Sequence, residues 1–305
     1  MLGNILTVGN YVLILFILIG VGFVSAKTKL LTNKSAKEIT DFVLYIVTPC
    51  VIINSYCREF DRAMLSGFII TMIAAVVSFA INILLSHLLI RDKDCAREKT
   101  LRFGSVFSNC GYMSLPLQSA LLGEEGVFYG ATYIAVFQVV LWTYGVILMS
   151  GNVKNVSLKK IIINPGVIGT TIGLMIFIFS IPIPFTVLEP IKYLAALNTP
   201  LPMVIVGFHL ASASLKVTGL SAWSAIVFRL IVSPLLMLFG LYAFGITGVV
   251  LTACTIAAAA PFAAATTMFS EKFGADTALS ATGVSLTTLM SIITMPIIVG
   301  IATVL

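Results

Sequence analysis

Long apolar runs separated by short polar breaks occupy nearly the whole chain. A helix rising 1.5 Å per residue needs about 20 mostly apolar residues to cross a bilayer. That measure predicts ten spans, at 5–25, 38–57, 64–90, 101–120, 127–150, 161–181, 189–213, 221–245, 247–270 and 276–303. Their length and composition make them helices. The sharpest breaks are REFDR (58–62), RDKDCAREKTLR (91–102) and SGNVKNVSLKK (150–160), and Pro200 and Pro202 interrupt the seventh run.

Composition agrees with this pattern. Of 305 residues, 59% are hydrophobic and 10% are charged, against roughly a quarter charged in a soluble domain. Mean hydropathy is +1.10. A large soluble core is excluded because too little polar surface exists to coat one, so the fold class is an all-α polytopic membrane protein. The net charge of +6 would suggest nucleic acid on a soluble protein. Here the basic residues sit in short loops and report orientation instead.

With the N-terminus outside, the inner loops hold Lys27, Lys29, Lys34 and Lys37, then Arg91, Lys93, Arg97, Lys99 and Arg102, then Lys154, Lys159 and Lys160, then Lys216 and Lys272. The outer side holds only Arg58, Arg62 and Lys192, and Arg229 falls within a span. This bias predicts both termini outside. The first run is preceded by no basic residue, and Lys27 and Lys29 follow it. That polarity is opposite to a cleaved signal peptide, so a retained helix is expected. Cys50, Cys57, Cys95, Cys110 and Cys254 are odd in number, without metal spacing, and are expected as free thiols. With two histidines, His87 and His209, no histidine metal site and no cofactor is expected.

Several spans carry residues that weaken a helix. NCGYMSLPL (109–117) places Asn109, Gly111, Ser114 and Pro116 in one stretch. A proline removes a backbone donor and clashes with the preceding turn. The freed carbonyls survive in a bilayer only where protein or water surrounds them. The stretch therefore predicts a discontinuous helix lining a cavity, with half-helix N-termini suited to an anion. The ninth span repeats the pattern at Pro261, between Ala257–Ala260 and Ala263–Ala265. Small side chains there would let two backbones cross closely. An ordinary pair of proline kinks is the plainer alternative.

Internal similarity favours the first view. VTPCVII (47–53) resembles NTPLPMVIV (198–206), Pro116 matches Pro261, and GEEGVFYGA (123–131) resembles SEKFGADTALSA (270–281), at offsets of 151, 145 and 147 residues. Five spans per half is odd, so the halves would be inverted, as in secondary transporters. The expected division is 1–150 for the first repeat, 151–160 for a cytoplasmic linker and 161–305 for the second repeat, with helices 4 and 9 broken and crossing. Thr48, Pro49, Asn198 and Pro200 would face the same pocket from the other helices.

These residues make the chain resemble the auxin efflux carrier family, which includes plant auxin exporters and bacterial carriers of malate-like dicarboxylates. NCGYMSLPL is similar to its fourth-span stretch, FQVVLWTYG (137–145) to its fifth, INPGVIGTTIG (163–173) to its sixth and FRLIVSPLLM (228–237) to its eighth. Pro261, ALSATGV and TMPIIVG fit its last two spans. The resemblance covers essentially the whole chain. It implies a scaffold of spans 1, 2, 6 and 7 and a mobile domain of spans 3–5 and 8–10. It implies an anion at the crossover, with Asn109 bonding a carboxylate, Gln138 lining the same pocket, and Pro116 and Pro261 shaping it. It also puts Arg229 outside the crossover, in a structural role; by position alone the residue could snorkel to the inner face or pair within the membrane with an anion or a backbone carbonyl. The ten-residue link GNVKNVSLKK replaces the long insert of the plant members, which fits a compact bacterial type in the inner membrane.

Other residues read two ways. Gln138 could equally join two helices, Trp142 suits packing, and Glu124 and Glu125 suit an outer loop. Asn54 and Ser55 could contact substrate or end a helix. No aspartate or glutamate lies deep in a span, which argues against a cation exchanger. No Ser–His, Cys–His or metal constellation suggests an enzyme. The expected partners are a small organic anion and the lipid bilayer; a homodimer is left open and nucleic acid is not expected. Sodium dependence of flux would separate an anion carrier from a sodium-coupled symporter of amphipathic anions. An anion-sensing membrane domain that moves nothing is weakened by the lack of an output domain within these 305 residues.

Overall fold

A computed structural model describes residues 2–157, 159, 162–212 and 219–305. The inner-loop lysines Lys160 and Lys216 lie outside the described residues. Every regular element described is helical: α1 Leu2–Lys27, α2 Asn33–Phe42, α3 Thr48–Tyr56, α4 Arg62–Leu89, α5 Cys95–Val106, α6 Leu115–Val140, α7 Val146–Ser150, α8 Pro165–Ile178, α9 Phe185–Ala196, α10 Pro200–Leu210, α11 Leu220–Val227, α12 Ser233–Ala243, α13 Gly248–Ala259, α14 Ala265–Phe273 and α15 Thr277–Ala302. Wider π-type turns join α2 to α3, α6 to α7 and α11 to α12, and a fourth, Cys110–Ser114, leads into α6.

Local chemistry sets the helix ends. Asp61, Asp94, Asn164 and Asp276 each accept a backbone N–H of the following first turn, at 2.8, 2.8, 2.9 and 2.9 Å. These side chains satisfy donors that a helix start leaves open. Gly151 and Gly274 close α7 and α14 with φ of 69°, a left-handed conformation that glycine adopts without steric cost.

Among the described residues, six helical stretches are long and apolar enough to cross a membrane, and α8 and α13 are apolar but shorter. The ten predicted runs therefore differ from the observed helices. The seventh is two helices, α9 and α10, separated at Leu197–Thr199. The ninth is also two, α13 and α14. The fourth breaks at Phe107–Asn109, and its second part runs through Gly123 (φ 65°) into the fifth. Pro116 is thus not at the break. It stands at the start of α6, seven residues after Asn109, where the wider turn Cys110–Ser114 has already begun the helix. Pro261 does lie in its break, between α13 and α14.

Packing follows the small residues. α1 lies along α10, and a Cβ on Gly207 would sit only 1.9 Å from the Ile19 carbonyl oxygen. A Cβ on Gly22 would sit 2.0 Å from the Val204 carbonyl oxygen. α3 packs on α8 and α9, α4 on α6, and α13 on α6, α12 and α15. Large apolar side chains of α1, α4, α12 and α15 face outward, such as Ile17, Leu84, Phe239 and Ile293. A belt of this kind needs lipid around it.

Candidate functional site

The two breaks meet. The Asn109 N–H donates to the Pro261 carbonyl at 2.8 Å, and the Ala263 N–H donates to the Phe107 carbonyl at 2.9 Å. Ser108 and Phe262 thereby form an isolated antiparallel bridge between chain segments some 150 residues apart. Extended backbone in an apolar interior must find partners, and each break supplies those of the other. The Phe262 N–H donates to Thr287 Oγ1 of α15 at 3.1 Å. The Phe262 ring fills the space over Gly104 and Gly283.

Of the residues expected at the site, this junction gathers Asn109, Gly111, Ser114 and Pro261. Ser114 Oγ donates to the Ile256 carbonyl of α13 at 3.2 Å. Asn109 is 5% exposed, and its Nδ2 has no hydrogen-bond partner. A buried, unpaired amide donor costs about 1–3 kcal/mol. Beside it, Gly111 is half-buried and faces open space, with no atom within 4 Å of where a Cβ would stand. The turn Cys110–Ser114 starts here, and the first amides of a helical turn have no acceptor within it. Donors and room therefore coincide at Asn109 and Gly111.

Arg229 also belongs to this junction, which corrects its expected place outside it. The side chain is fully buried. Its Nη1 donates to the carbonyls of Ser105 and Val106, both at 3.2 Å, and its Nη2 to Ser233 Oγ at 3.0 Å and to the Ala258 carbonyl. Those carbonyls end α5 and α13, the helices that lead into the two breaks.

Directly after Ser114 a cavity of about 320 Å³ opens. Leu115 and Pro116 form one wall, Asn54 and Ser55 of α3 another, and Asn198 and Thr199, between α9 and α10, a third. Asn198 is 5% exposed and its Oδ1 has no partner. Glu124 and Lys192 also line this space. Glu124 pairs with Arg58 at 3.4 Å and Lys192 with Glu189 at 2.9 Å.

A family model described as membrane transport protein matches residues 7–299. The chain belongs to this family, the auxin efflux carrier family. A protein of Methanocaldococcus jannaschii named as an uncharacterized transporter is 24% identical over 299 residues, covering 93% of this chain and 95% of its own. A second uncharacterized transporter, from Methanothermobacter thermautotrophicus, is 20% identical over 292 residues, covering 94% and 95%. Both relatives are archaeal. The molecule is accordingly a multi-pass membrane transport protein.

In this transport protein the remaining expected residues lie elsewhere. Pro49 packs on Gly169 of α8, and Thr48 is buried at the start of α3, about two turns before the cavity-lining Asn54 and Ser55. Pro200 opens α10. Gln138 does not line the cavity. Its Oε1 accepts from Asn164 Nδ2 at 3.2 Å, while Asn164 Oδ1 caps α8, so Gln138 joins α6 to α8. Gln118, which belongs to none of the motifs, is fully buried and donates through Nε2 to the Ala253 carbonyl at 2.9 Å. Its place two residues after Pro116 was the available signal.

Proposed function

We propose that this membrane transport protein carries a small organic anion, a carboxylate such as malate or an auxin-like acid, by alternating access at the junction of the two breaks. The carrying observation is the bridge between Ser108 and Phe262, beside which Asn109 Nδ2 is buried without a partner and Gly111 faces open space. A carboxylate accepting from Asn109 and from the first amides of Cys110–Ser114 would satisfy all of these donors. Half-helix N-termini favour negative charge.

The finer architecture belongs to the same proposal: ten spans in two inverted repeats, 1–150 and 161–305, with both termini outside the cell membrane. Spans 1, 2, 6 and 7 form the scaffold and spans 3–5 and 8–10 the moving body. The packing of α1 on α10 and of α3 on α8, and of α4 on α6 and α12 on α13, fits that division, and α1 on α15 and α3 on α6 make the contact between the two bodies. Lys192, Glu124 and Asn54 then surround an outer vestibule above the site. Moving one anionic charge down the membrane potential is worth about 2.3 kcal/mol per 100 mV, enough to drive export without a second ion.

Counterflow in proteoliposomes tests the reading, using labelled malate and an indole monocarboxylate. Asn109→Ala is expected to lower flux about tenfold to a hundredfold, the range for one hydrogen bond to a charged group, with the folded yield unchanged. Absence of flux for every short carboxylate, or full flux in Asn109→Ala, refutes it.

A further inference from the structure

We propose that the Arg229 guanidinium is a built-in counter-cation that takes the place of a coupling sodium ion in the transport junction. The inference deepens the transport reading and rests on it.

Three backbone carbonyls and one hydroxyl converge on this side chain: Ser105 and Val106 at the end of α5, Ala258 at the end of α13, and Ser233 Oγ. A helix C-terminus carries about half a negative charge, so two of them meeting here present about one. Oxygen ligands from unwound backbone and half-helix C-termini are the arrangement that holds Na⁺ in broken-helix carriers. In this chain the same kind of cage is filled by a covalently attached cation. Its residue is fully buried, so the charge cannot exchange with solvent ions.

The geometry also separates two charge sites. Arg229 neutralises the C-terminal ends on one side of the bridge. Asn109 Nδ2 and the N-terminal amides of Cys110–Ser114 remain for an anion on the other. A carrier whose cation binds from solution must load it before or with its substrate. Here the positive charge is permanent, so substrate affinity and flux are independent of sodium. Arg229 acts through the half-helices it holds and is a positioning residue.

The test compares wild type, Arg229→Lys and Arg229→Ala in two measurements. In proteoliposomes, wild-type counterflow is expected to be equal in sodium and choline media. Arg229→Ala is expected to lose at least about tenfold, because it leaves buried carbonyl ends uncompensated, and Arg229→Lys to retain part of the flux. Residual flux of Arg229→Ala is expected to rise when sodium or guanidinium is added, which a packing role would not produce. In detergent, millimolar guanidinium is expected to raise the thermal midpoint of Arg229→Ala while leaving wild type and the loop variant Arg91→Ala unmoved.

Sodium-dependent wild-type flux overturns the proposal, as does wild-type flux in Arg229→Ala, or an Arg229→Ala protein that no small cation restores by either measurement. If Arg229→Ala does not fold, wild type and Arg229→Lys decide: sodium independence with partial Lys function supports the proposal, and the loss of either overturns it. Absence of any anion flux in wild type refutes the transported substrate class instead, and the thermal measurement then decides the fate of the counter-cation alone.

Discussion

A methyl group added at Gly104 is expected to destabilise the wild-type protein and to stabilise one lacking the Phe262 ring. The would-be Cβ of Gly104 lies 2.4 Å from Cδ2 and Cε2 of Phe262, more than 1 Å inside the roughly 3.5–4.0 Å of normal carbon contact. The ring also sits close over Gly283, where an added Cβ would stand 3.0 Å from it. The backbone beneath it is held by the Thr287 hydroxyl and by the paired bonds of the bridge. Gly104→Ala is therefore expected at the upper end of the about 1–3 kcal/mol that overpacking costs. Phe262→Ala leaves a cavity and is expected to cost about 3–5 kcal/mol. In the double variant the clash is gone. The methyl then regains about 0.8 kcal/mol of burial, and alanine is better than glycine inside a helix by about 0.8–1 kcal/mol. The double variant should accordingly be more stable than Phe262→Ala by about 1–2 kcal/mol, giving strong non-additivity between contacting sites. Reversible unfolding in mixed micelles measures all four corners of the cycle. Equal destabilisation by Gly104→Ala in both backgrounds would refute the placement of the ring, and with it the bridge geometry on which the site depends.

Two further outcomes follow from other parts of the molecule. Gly207→Val is expected to separate α1 from α10, because its first carbon already falls on the Ile19 carbonyl. It should cost more than the about 1–3 kcal/mol of ordinary overpacking and show as loss of monodisperse protein in size-exclusion chromatography, whereas the equivalent change at Gly20, with open space around it, should be tolerated. In the loop before α5, Asp92 is held below the usual carboxylate range, chiefly by the Ser221 hydroxyl, then by the Asp94 amide and by Arg97. A depressed folded value stabilises above the ordinary aspartate pKa of about 3.9 and loses that contribution as pH falls through the lower one. The gap in thermal midpoint between wild type and Asp92→Asn should be constant near neutrality and close in acid; a gap that persists at low pH contradicts this.

The apolar runs determined the class of molecule without any tertiary information, because a chain with so few charges has no soluble solution. The order of the motifs around Asn109, Pro165, Pro234 and Pro261 determined the family for a similar reason. Each motif is a local departure from helical chemistry, visible in the residues themselves. The meeting of the two interruptions was also foreseeable, since extended backbone in a membrane has to be paired. Their positions were less so. Proline marks the ninth break directly, but in the fourth it lies beyond the first turn after the break, and the two placements look alike in a sequence.

Only the tertiary structure decided what the polar side chains touch. Gln138 bonds Asn164 rather than lining the cavity, and Glu124 and Lys192 come to the cavity wall from separate helices, α6 and α9. Arg229 is the clearest case. The side chain was conspicuous in its span, yet three of its four partners are peptide carbonyls of Ser105, Val106 and Ala258. Every residue owns the same carbonyl, so no sequence pattern can mark the ones a distant arginine will bond. Where a partner is a side chain it leaves a trace in the sequence; where it is backbone freed by a break, folding alone selects it.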